Sequence, residues 1–484
     1  MRILFVTSEA YPLVKTGGLA DVSGSLPAAL RDLGHDVRIL IPGYPAVLEK
    51  LENKQPVADI SPLPFVHSVC LVSGEMPDNG VPVLAVECPS LYQRDGGPYL
   101  DTSGRDWEDN PVRFGVFSYV AALLSCGSSP LQDWVPDIVH CNDWQSGLTP
   151  AYVHYMSASG FHKCAKSVLS IHNLIFQGNF PADWVARLWL PAESYQMHGL
   201  EYYGQLSFLK AGIFYSDTIT TVSPTYAREI QTEEFGFGMQ GLLTSRQHDI
   251  HGILNGIDMH EWNPARDPHL IEHYDAEHLD GKKAVKRALQ ERMNLAQDDS
   301  PLLGVVSRLT PQKGLDMLLD IGKTLIQQGN QLAILGSGDA ALEAGFRQLA
   351  EQYPLQAGVV IGYNEALSHQ IMAGADMFIM PSRFEPCGLN QMYGLRYGTP
   401  PVVTHTGGLA DSVHDSNSIS LTDGSATGFV MKAPAPHELL ATIQRAVAYY
   451  KQPDTWHKIL QHGMHQDLSW GKSAQEYVRV YESL

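Results

Sequence analysis

The sequence lacks the cysteine and histidine patterns that would assign it to a metal-binding or disulfide-rich class. Its six cysteines are scattered over 484 residues without a C-x-x-C pair, which excludes a disulfide framework and a zinc knuckle. We therefore expect all six thiols to be reduced. Neither H-E-x-x-H nor another clustered Cys/His spacing occurs, so no metal site is predicted.

The chain also lacks long apolar runs and an excess of positive charge. No stretch approaches the ~18 apolar residues of a membrane span, and the first apolar run is too short for a secretion signal. Acidic residues outnumber basic ones by 52 to 33, which gives a net charge of −19. An acidic chain lacks the basic surface that nucleic acids or anionic membranes require. We expect a cytoplasmic protein that binds neither nucleic acid nor membrane.

What the sequence does contain is a repeated alternation of short apolar strands and helices. The strands are continuous apolar runs, which are typical of a parallel sheet covered on both faces. They are predicted at residues 3–6, 37–41, 137–140, 167–171, 218–222, 302–306, 332–335, 359–361, 377–380 and 401–404. Asp78-Asn79-Gly80 lies between two β-rich runs and predicts a hairpin. The pattern restarts near residue 250, so we predict an α/β protein with two doubly wound domains.

A first candidate site is the turn S-R-L-T-P-Q-K-G at residues 307–314, which follows a predicted strand. Thr310 and Pro311 are suited to begin the next helix, and Lys313 then falls in its first turn. A cation is unfavourable there, because a helix N-terminus is already partly positive. Lys313, Arg308 and backbone N–H groups would together suit a diphosphate. Alternatively, both side chains are solvated surface cations.

A second candidate site follows the predicted strand at residues 377–380. Glu385 lies between this strand and a helix predicted from about Leu389 to Tyr397. The carboxyl ends of strands are where ligands bind in open α/β sheets. The alternative is an ordinary carboxylate that caps the helix.

Polar residues also follow two strands of the N-terminal half. His140-Cys141-Asn142-Asp143 and His172-Asn173 stand at the two strand ends, and their density predicts a cleft. Taken singly, each histidine is better explained as a hydrogen-bonded core residue.

Two glycine motifs remain. T-G-G-L-A-D occurs at residues 16–21 and again at 406–411, in each case between a strand and a helix. This is either chance or one turn used in two similar domains. G-S-G-D-A-A at residues 336–341 is similar to a dinucleotide fingerprint, but no acidic residue ends the next strand to bind a ribose. NAD binding is therefore the weaker interpretation of that motif.

Taken together, these motifs resemble those of the bacterial glycogen synthase and plant starch synthase family, over nearly the whole chain. The resemblance rests on K-T-G-G-L-A-D (15–21), P-Y-L-D-T (98–102), H-x-x-D-W (140–144), I-H-N-L (171–174), H-G-L-E-Y-Y-G-Q-L-S-F-L-K-A-G (198–212), V-S-P-T-Y-A-R-E-I (222–230), L-N-G-I-D (254–258), S-R-L-T-P-Q-K-G (307–314), S-R-F-E-P-C-G-L (382–389) and the second T-G-G-L-A-D. So many long motifs in the same order are highly specific.

The resemblance implies a GT-B architecture, in which two Rossmann-like domains face a central cleft. It implies an N-terminal acceptor-side domain at residues 1–250, a nucleotide-sugar domain at 251–465 and a C-terminal helix at 466–484 that crosses back to the first. It also implies glucose transfer from ADP-glucose to the non-reducing end of an α-1,4-glucan such as glycogen, with retention of configuration. No cofactor or metal is implied.

The resemblance also implies the site residues. The residues implied in catalysis are Glu385, Lys313, Arg308, His172 and Asp143. The residues implied in substrate binding are Lys15, Gly18, Asp21, Tyr99, Asn173, Asn255, Tyr363, Cys387, Gly388, Leu389 and Asn390. Among these, Arg308 and Lys313 are expected to clamp the diphosphate, and Tyr363 to stack on adenine. The side chains of Glu385 and Lys313 are expected to face a wet cleft. Glu385 is expected to position the sugar or hold Lys313 rather than attack the sugar.

The chain departs from the family pattern at three positions. Asn142 stands where many members have His, and Asn390 where Thr or Ile is usual. Tyr393 stands where broader retaining GT-B enzymes have a second Glu. The alternatives are a GT-B enzyme with another acceptor or with UDP-glucose as donor, an inactive glucan-binding homologue, and an NAD-dependent oxidoreductase.

Overall fold

The computed structural model describes residues 1–127, 130–131, 134–160 and 163–484. These described residues fall into two compact units. The first comprises Met1–Asn255 together with Trp470–Leu484, and the second comprises Gly256–Ser469. Among the residues described, none of the helices combines the length and the apolar character needed to cross a lipid bilayer.

The first unit is built on a mixed sheet. Its strands are β1 (Arg2–Val6), β2 (Asp36–Pro42), β3 (Glu52–Ile60), β4 (Val69–Glu75), β5 (Pro82–Glu87), β6 (Ile138–Asn142), β7 (Lys166–Ile171), β8 (Asn179–Pro181), β9 (Glu201–Tyr202), β10 (Gln205–Ser207), β11 (Thr218–Thr221) and β12 (Ile250–Gly252). Within the described residues, nine strands pair in the order β12-β11-β7-β6-β1-β2-β5-β4-β3, and β8, β10 and β9 form a small antiparallel sheet. The strands from β12 to β5 are parallel, whereas β4 and β3 are antiparallel at one edge. Strands β4 and β5 are the predicted hairpin.

Helices connect these strands. They are α1 (Gly18–Asp32), α2 (Pro45–Lys50), α3 (Pro89–Tyr92), α4 (Asn110–Leu124), α5 (Thr149–Ala158), α6 (Trp184–Arg187), α7 (Phe208–Tyr215), α8 (Pro224–Glu229) and α9 (Gln240–Ser245). Helix α1 shows why they form: Val22, Leu26 and Leu30 recur at helical spacing and pack in one core cluster with Ile3 and Phe5 of β1. Burying each such side chain contributes about 1.5–3 kcal/mol.

The second unit has a parallel sheet with strands that are short and largely apolar. They are β13 (Leu302–Val306), β14 (Gln331–Gly336), β15 (Ala357–Ile361), β16 (Met377–Met380), β17 (Pro401–Thr404) and β18 (Phe429–Met431). In the described part of this unit they pair in the order β15-β14-β13-β16-β17-β18, all in parallel. The chain therefore builds outward from β13 in one direction and then returns to its other side. Ligands bind at such reversal points in doubly wound sheets.

The helices of the second unit cover both faces of this sheet. They are α10 (Asp280–Arg292), α11 (Leu315–Gln327), α12 (Ala340–Gln352), α13 (Glu365–Gly374), α14 (Asn390–Arg396), α15 (Gly407–Ser412), α16 (Ser418–Asp423), α17 (Pro436–Tyr450) and α18 (Pro453–Met464). The last helix, α19 (Trp470–Glu482), belongs to the first unit, where Trp470, Ala474 and Tyr477 pack in the same core cluster as β1. The predicted doubly wound α/β fold is thus present in each unit.

The prediction that all thiols are reduced is wrong for one pair. Cys126 and Cys164 form a disulfide across a sequence separation of 38, while Cys70, Cys88, Cys141 and Cys387 take no part in a disulfide. The pair meets because α4 ends beside the segment that enters β7, where Ala165 N donates to Ser125 O at 2.7 Å. The spacing along the chain carried no sign of this contact, because it depends on the order of strands in the sheet.

Candidate active site

Two loops meet at the carboxyl ends of β13 and β16, which are neighbours in the sheet of the second unit. We call residues 308–314 the lysine turn and residues 381–388 the glutamate loop. Lys313 Nζ donates to Glu385 Oε2 at 2.5 Å, and Ser382 Oγ donates to the same carboxylate oxygen at 3.0 Å. The side chains of Lys313 and Glu385 are only 15% and 8% exposed. The expectation that this pair faces a wet cleft is therefore wrong: it is a largely buried ion pair.

The lysine turn differs from its predicted form. Pro311–Lys313 is a short 3-10 turn, Gly314 has a left-handed backbone with φ of 70°, and helix α11 begins only at Leu315. Lys313 therefore precedes the helix instead of lying in its first turn. The hydroxyl of Thr310 makes no helix-capping bond. The Gly314 conformation redirects the chain so that the lysine can reach the glutamate loop.

A cavity of about 180 Å³ opens beside this ion pair. Its lining residues are Val306, Ser307, Arg308, Lys313, Leu315, Ile379, Met380 and Asn390. Arg308 is exposed, whereas Asn390 is fixed because its Nδ2 donates to Val306 O at 2.8 Å. The structure thus brings together three predicted residues, Arg308, Lys313 and Asn390, at one cavity with two cations. Such a cavity is suited to an anion.

The second T-G-G-L-A-D copy supports the glutamate loop. Gly408 N donates to Glu385 O at 3.1 Å and to Pro386 O at 3.0 Å. Gly407 has φ of 42°, and an added Cβ would collide with the carbonyl oxygen of Glu385. The first copy is different, because an added Cβ at Gly18 would meet no atom within 4 Å. The two copies are therefore not the same turn: Gly17 is extended with φ of −155° and α1 begins at Gly18, whereas α15 begins already at Gly407.

The other predicted residues of this unit lie around the same sheet edge. Cys387 is buried, Gly388 has φ of 70°, and Leu389 precedes α14. Gln391 holds this turn, since its Nε2 donates to Cys387 O and Gly388 O, both at 3.0 Å. Sequence reasoning missed Gln391 because its amide reaches back to its own turn. Tyr363 follows β15, is 84% exposed, and its hydroxyl donates to Glu365.

In the first unit, Asp143 follows β6 and lies beside the strand-end residues of β7. Its Oδ1 accepts the N–H groups of His172 at 2.7 Å and Asn173 at 3.5 Å. Burial raises the pKa of Asp143 to about 7, against the lowering effect of these two bonds. Burial lowers the pKa of His172 to about 4, so its ring is neutral. The carboxylate is therefore costly to keep charged, which is typical of functional sites.

Asn142 orients the His172 ring. Asn142 Nδ2 donates to Val6 O at 3.0 Å, so its Oδ1 faces the ring and accepts from His172 Nε2 at 2.9 Å. The ring hydrogen is then on Nε2, and Nδ1 is left as the acceptor. His140 is a core histidine instead, bonded to Tyr481 and Ser170 at 2.7 and 2.6 Å.

Glu9, just after β1, is a residue that sequence reasoning missed. It is 3% exposed and accepts from Thr16 N, from Thr16 Oγ1 at 2.6 Å and from Gly17 N at 3.2 Å. Tyr99 OH also donates to it at 2.5 Å. Glu9 thus anchors the loop in which Lys15 Nζ donates to Asp21 Oδ1 at 2.7 Å. Glu9 follows β1 as Asp143 follows β6, and these two strands are neighbours in the sheet. An acidic residue just past a predicted strand was the available signal.

Asn255 ends the first segment of this unit. It is 6% exposed, and among the described residues its Oδ1 has no hydrogen-bond partner. An unpaired buried amide oxygen costs free energy unless a ligand or water satisfies it.

One group of the described residues has the composition of a metal site. The possible ligand atoms of Glu261, Glu365 and His369 lie within 4.8 Å of one another. However, His369 Nδ1 lies 2.7 Å from Asp267 Oδ2, and its Nε2 lies 3.4 Å from Glu365 Oε1. These carboxylates outweigh the effect of burial and raise the pKa of His369 to about 9. A protonated imidazole has no lone pair for a metal, so metal independence stays a prediction.

The fingerprint at residues 336–341 has a structural role. An added Cβ at Gly336 would collide with Ser307 O, and one at Gly338 with Leu309 O. Asp339 Oδ1 accepts from Ala341 N at 2.9 Å as the cap of α12. These glycines therefore allow β14 to pack against the lysine turn, which explains them without a dinucleotide.

Comparison with known proteins gives consistent matches over the whole chain. Residues 2–245 match the family model described as the starch synthase catalytic domain, and residues 286–460 match that of glycosyl transferases group 1. A glycogen synthase from Nitrosomonas eutropha is 54% identical, with 100% of this chain and 96% of that protein covered. A glycogen synthase from Nitrosospira multiformis is 52% identical, with 100% and 97% covered.

A solved structure also matches over nearly the full length. It is the catalytic domain of Starch Synthase IV from Arabidopsis thaliana bound to ADP and acarbose. The two chains are 32% identical, the TM-score is 0.88, and the match covers 99% of this chain and 98% of that one.

Proposed function

The chain belongs to the glycogen and starch synthase family of retaining GT-B glycosyltransferases, and we propose that it transfers glucose from ADP-glucose to an α-1,4-glucan. The family and the fold class predicted from the motifs are thereby confirmed, and the oxidoreductase alternative is excluded. We propose that the product retains the α configuration and that glucose is added at the non-reducing end. The proposed location is the cytoplasm, by resemblance to bacterial glycogen synthases.

The observation that carries the proposal is the Lys313–Glu385 pair beside a cavity that Arg308 also lines. In the proposed reaction the bond between glucose C1 and a diphosphate oxygen breaks, and negative charge grows on the departing ADP. Lys313, which Glu385 already holds in place, and Arg308 would stabilise that charge more in the transition state than in the ground state. This electrostatic stabilisation of the departing diphosphate would lower the activation free energy of the transfer.

The same geometry favours a role for Glu385 in holding Lys313 over a role as nucleophile. One of its oxygens already accepts from both Lys313 and Ser382. A carboxylate engaged in this way is a weak nucleophile, and its natural role is to hold the ammonium in place. The acceptor hydroxyl would then attack C1 on the face from which ADP leaves, and its proton would pass to the departing phosphate oxygen.

The donor is proposed to be ADP-glucose instead of UDP-glucose. Tyr363 offers a flat, 84% exposed ring after β15 of the same sheet. A purine presents a larger face for stacking than a pyrimidine, and stacking on an aromatic side chain contributes about 1–3 kcal/mol. The relative that is bound to ADP supports the same choice.

A radiolabel-transfer assay tests the proposal. Wild-type protein is incubated with glycogen and either ADP-glucose or UDP-glucose, labelled in the glucose, with and without a chelator. We expect label in glycogen, a higher kcat/KM with ADP-glucose, and no effect of chelation. A higher kcat/KM with UDP-glucose would favour the other donor, and no transfer from either would favour an inactive glucan-binding homologue.

A further inference from the structure

The lysine turn and the glutamate loop are joined by more than the Lys313–Glu385 pair. Arg383 N donates to Gln312 O at 2.8 Å, and Gln312 Nε2 donates to Phe384 O at 3.5 Å. One backbone bond and one side-chain-to-backbone bond thus join the two loops next to the ion pair. These contacts join residues about seventy positions apart in the chain, so they depend on the tertiary fold and not on neighbours in the sequence.

The Arg383 side chain adds a second connection. Its Nη1 and Nη2 donate to Asp316 Oδ1 at 2.7 Å and Oδ2 at 2.6 Å, and Nη1 also donates to Pro311 O. Asp316 lies in the first turn of α11, three residues after Lys313. Arg383 itself lies two residues before Glu385. The Arg383 guanidinium therefore contacts the chain on both sides of Lys313, at Pro311 and at Asp316.

The pair contributes little to stability by itself. Both side chains are 38% exposed, and exposed ion pairs typically contribute only about 0–1 kcal/mol. The Arg383 guanidinium lowers the pKa of Asp316, so the carboxylate remains charged at neutral pH. Neither residue lines the cavity. The two-pronged geometry of the Arg383–Asp316 pair, however, fixes the angle between the two loops, which a single contact would not.

We propose that Arg383 and Asp316 are a positioning pair that sets the lysine turn against the glutamate loop, and so holds Lys313 at the leaving diphosphate. This inference rests on the proposed function for its kinetic consequence. Lys313 reaches the site from one loop and Glu385 from the other, so a shift between the loops would misplace the ammonium. A misplacement of about 1 Å can cost up to ~10²-fold in rate.

The test weakens the pair while keeping a polar side chain of similar size at each position. Arg383→Lys keeps the charge but removes the two-pronged contact, and Asp316→Asn weakens the pair from the other side. We expect each to lower kcat about tenfold and to weaken ADP binding by a similar factor in calorimetry, because both depend on the lysine position. The KM for glycogen should stay within about twofold, since a neutral acceptor does not contact the diphosphate clamp.

A double-mutant cycle separates positioning from a general structural role. If Arg383 acts through Lys313, Arg383→Lys should change kcat by less than about twofold in a Lys313→Met background. Arg445→Lys is the matched control. Arg445 makes the same two-pronged pair with Asp415 at 3.1 and 2.7 Å, both partners are 35% exposed, and both lie in the same unit. It should leave kcat and ADP affinity unchanged.

Three results would overturn the inference. They are unchanged kcat and ADP affinity in both Arg383→Lys and Asp316→Asn, equal losses in Arg383→Lys and Arg445→Lys, and a full tenfold loss in the Lys313→Met background. Absence of glucose transfer by the wild-type protein would refute the proposed function instead. The ADP-binding measurements would still decide the inference in that case.

Discussion

Replacing Lys313 by Met tests the candidate site most directly. The methionine keeps the apolar stem of the lysine and removes only the charge that lies 2.5 Å from Glu385. Glu385 would then be a buried carboxylate, 8% exposed, with Ser382 as the donor that remains to it in this loop. The substitution should therefore affect both activity and stability, for separate physical reasons.

The expected sizes follow from the geometry. Removing one partner of a fully buried ion pair costs about 3–5 kcal/mol, and the residual exposure of this pair reduces the estimate to ~2–3 kcal/mol. For a unit of this size that corresponds to a fall in Tm of roughly 4–12 °C. Loss of the charge that stabilises the departing diphosphate should lower kcat by about 10²-fold or more, which is ~2.7 kcal/mol.

A second substitution separates the two effects of Lys313→Met. Glu385→Gln in the same background removes the unpaired charge, and it should restore Tm without restoring kcat.

Steady-state transfer from ADP-glucose to glycogen and thermal unfolding at pH 8 measure these effects. Arg445→Lys serves as the control for a charge substitution elsewhere in the unit. A kcat within a few fold of wild type would mean that Lys313 does not face the leaving group. An unchanged Tm at pH 8 would mean that Glu385 is not buried as a charged group.

Three further predictions concern other groups. Asp143→Asn should keep the acceptor for the N–H of His172 and remove a carboxylate whose pKa is raised to about 7. The Tm of the variant relative to wild type should therefore rise between pH 5 and pH 8, while kcat falls at least tenfold. A variant whose Tm relative to wild type is lower at pH 8 than at pH 5 would refute this. His369 has a pKa raised to about 9, so its contribution to stability should be complete below pH 6.5 and be lost as pH rises through 9; a pH scan of Tm in which His369→Gln shows the same slope as wild type would contradict it. The disulfide between Cys126 and Cys164 closes a loop with a sequence separation of 38, and its reduction should lower the free energy of unfolding by up to ~4 kcal/mol. A reductant should lower Tm in wild type but not in Cys126→Ser. Six reactive thiols in the untreated protein would count against the bond.

Much of the fold could be predicted because its determinants are local. The continuous apolar runs of β1, β13 and β16 identify buried strands, and Asp78-Asn79-Gly80 identifies the β4–β5 hairpin. The lysine turn was predicted less well. Thr310-Pro311 is a good helix start by propensity, but the close contact with the glutamate loop takes precedence and delays the helix to Leu315.

The sequence by itself determined the strand-and-helix alternation, the family and the types of residue at each strand end, because these depend on neighbours in the chain. Only the tertiary structure decided which of those residues meet. Lys313 and Glu385 are 72 positions apart, and they come together because β16 pairs with β13 after the chain has added β14 and β15 on the other side. The same kind of reversal puts β1 between β2 and β6, so that Glu9 and Asp143 follow adjacent strands. Strand order is fixed by the packing of whole helices and sheets, and no short stretch of sequence specifies it.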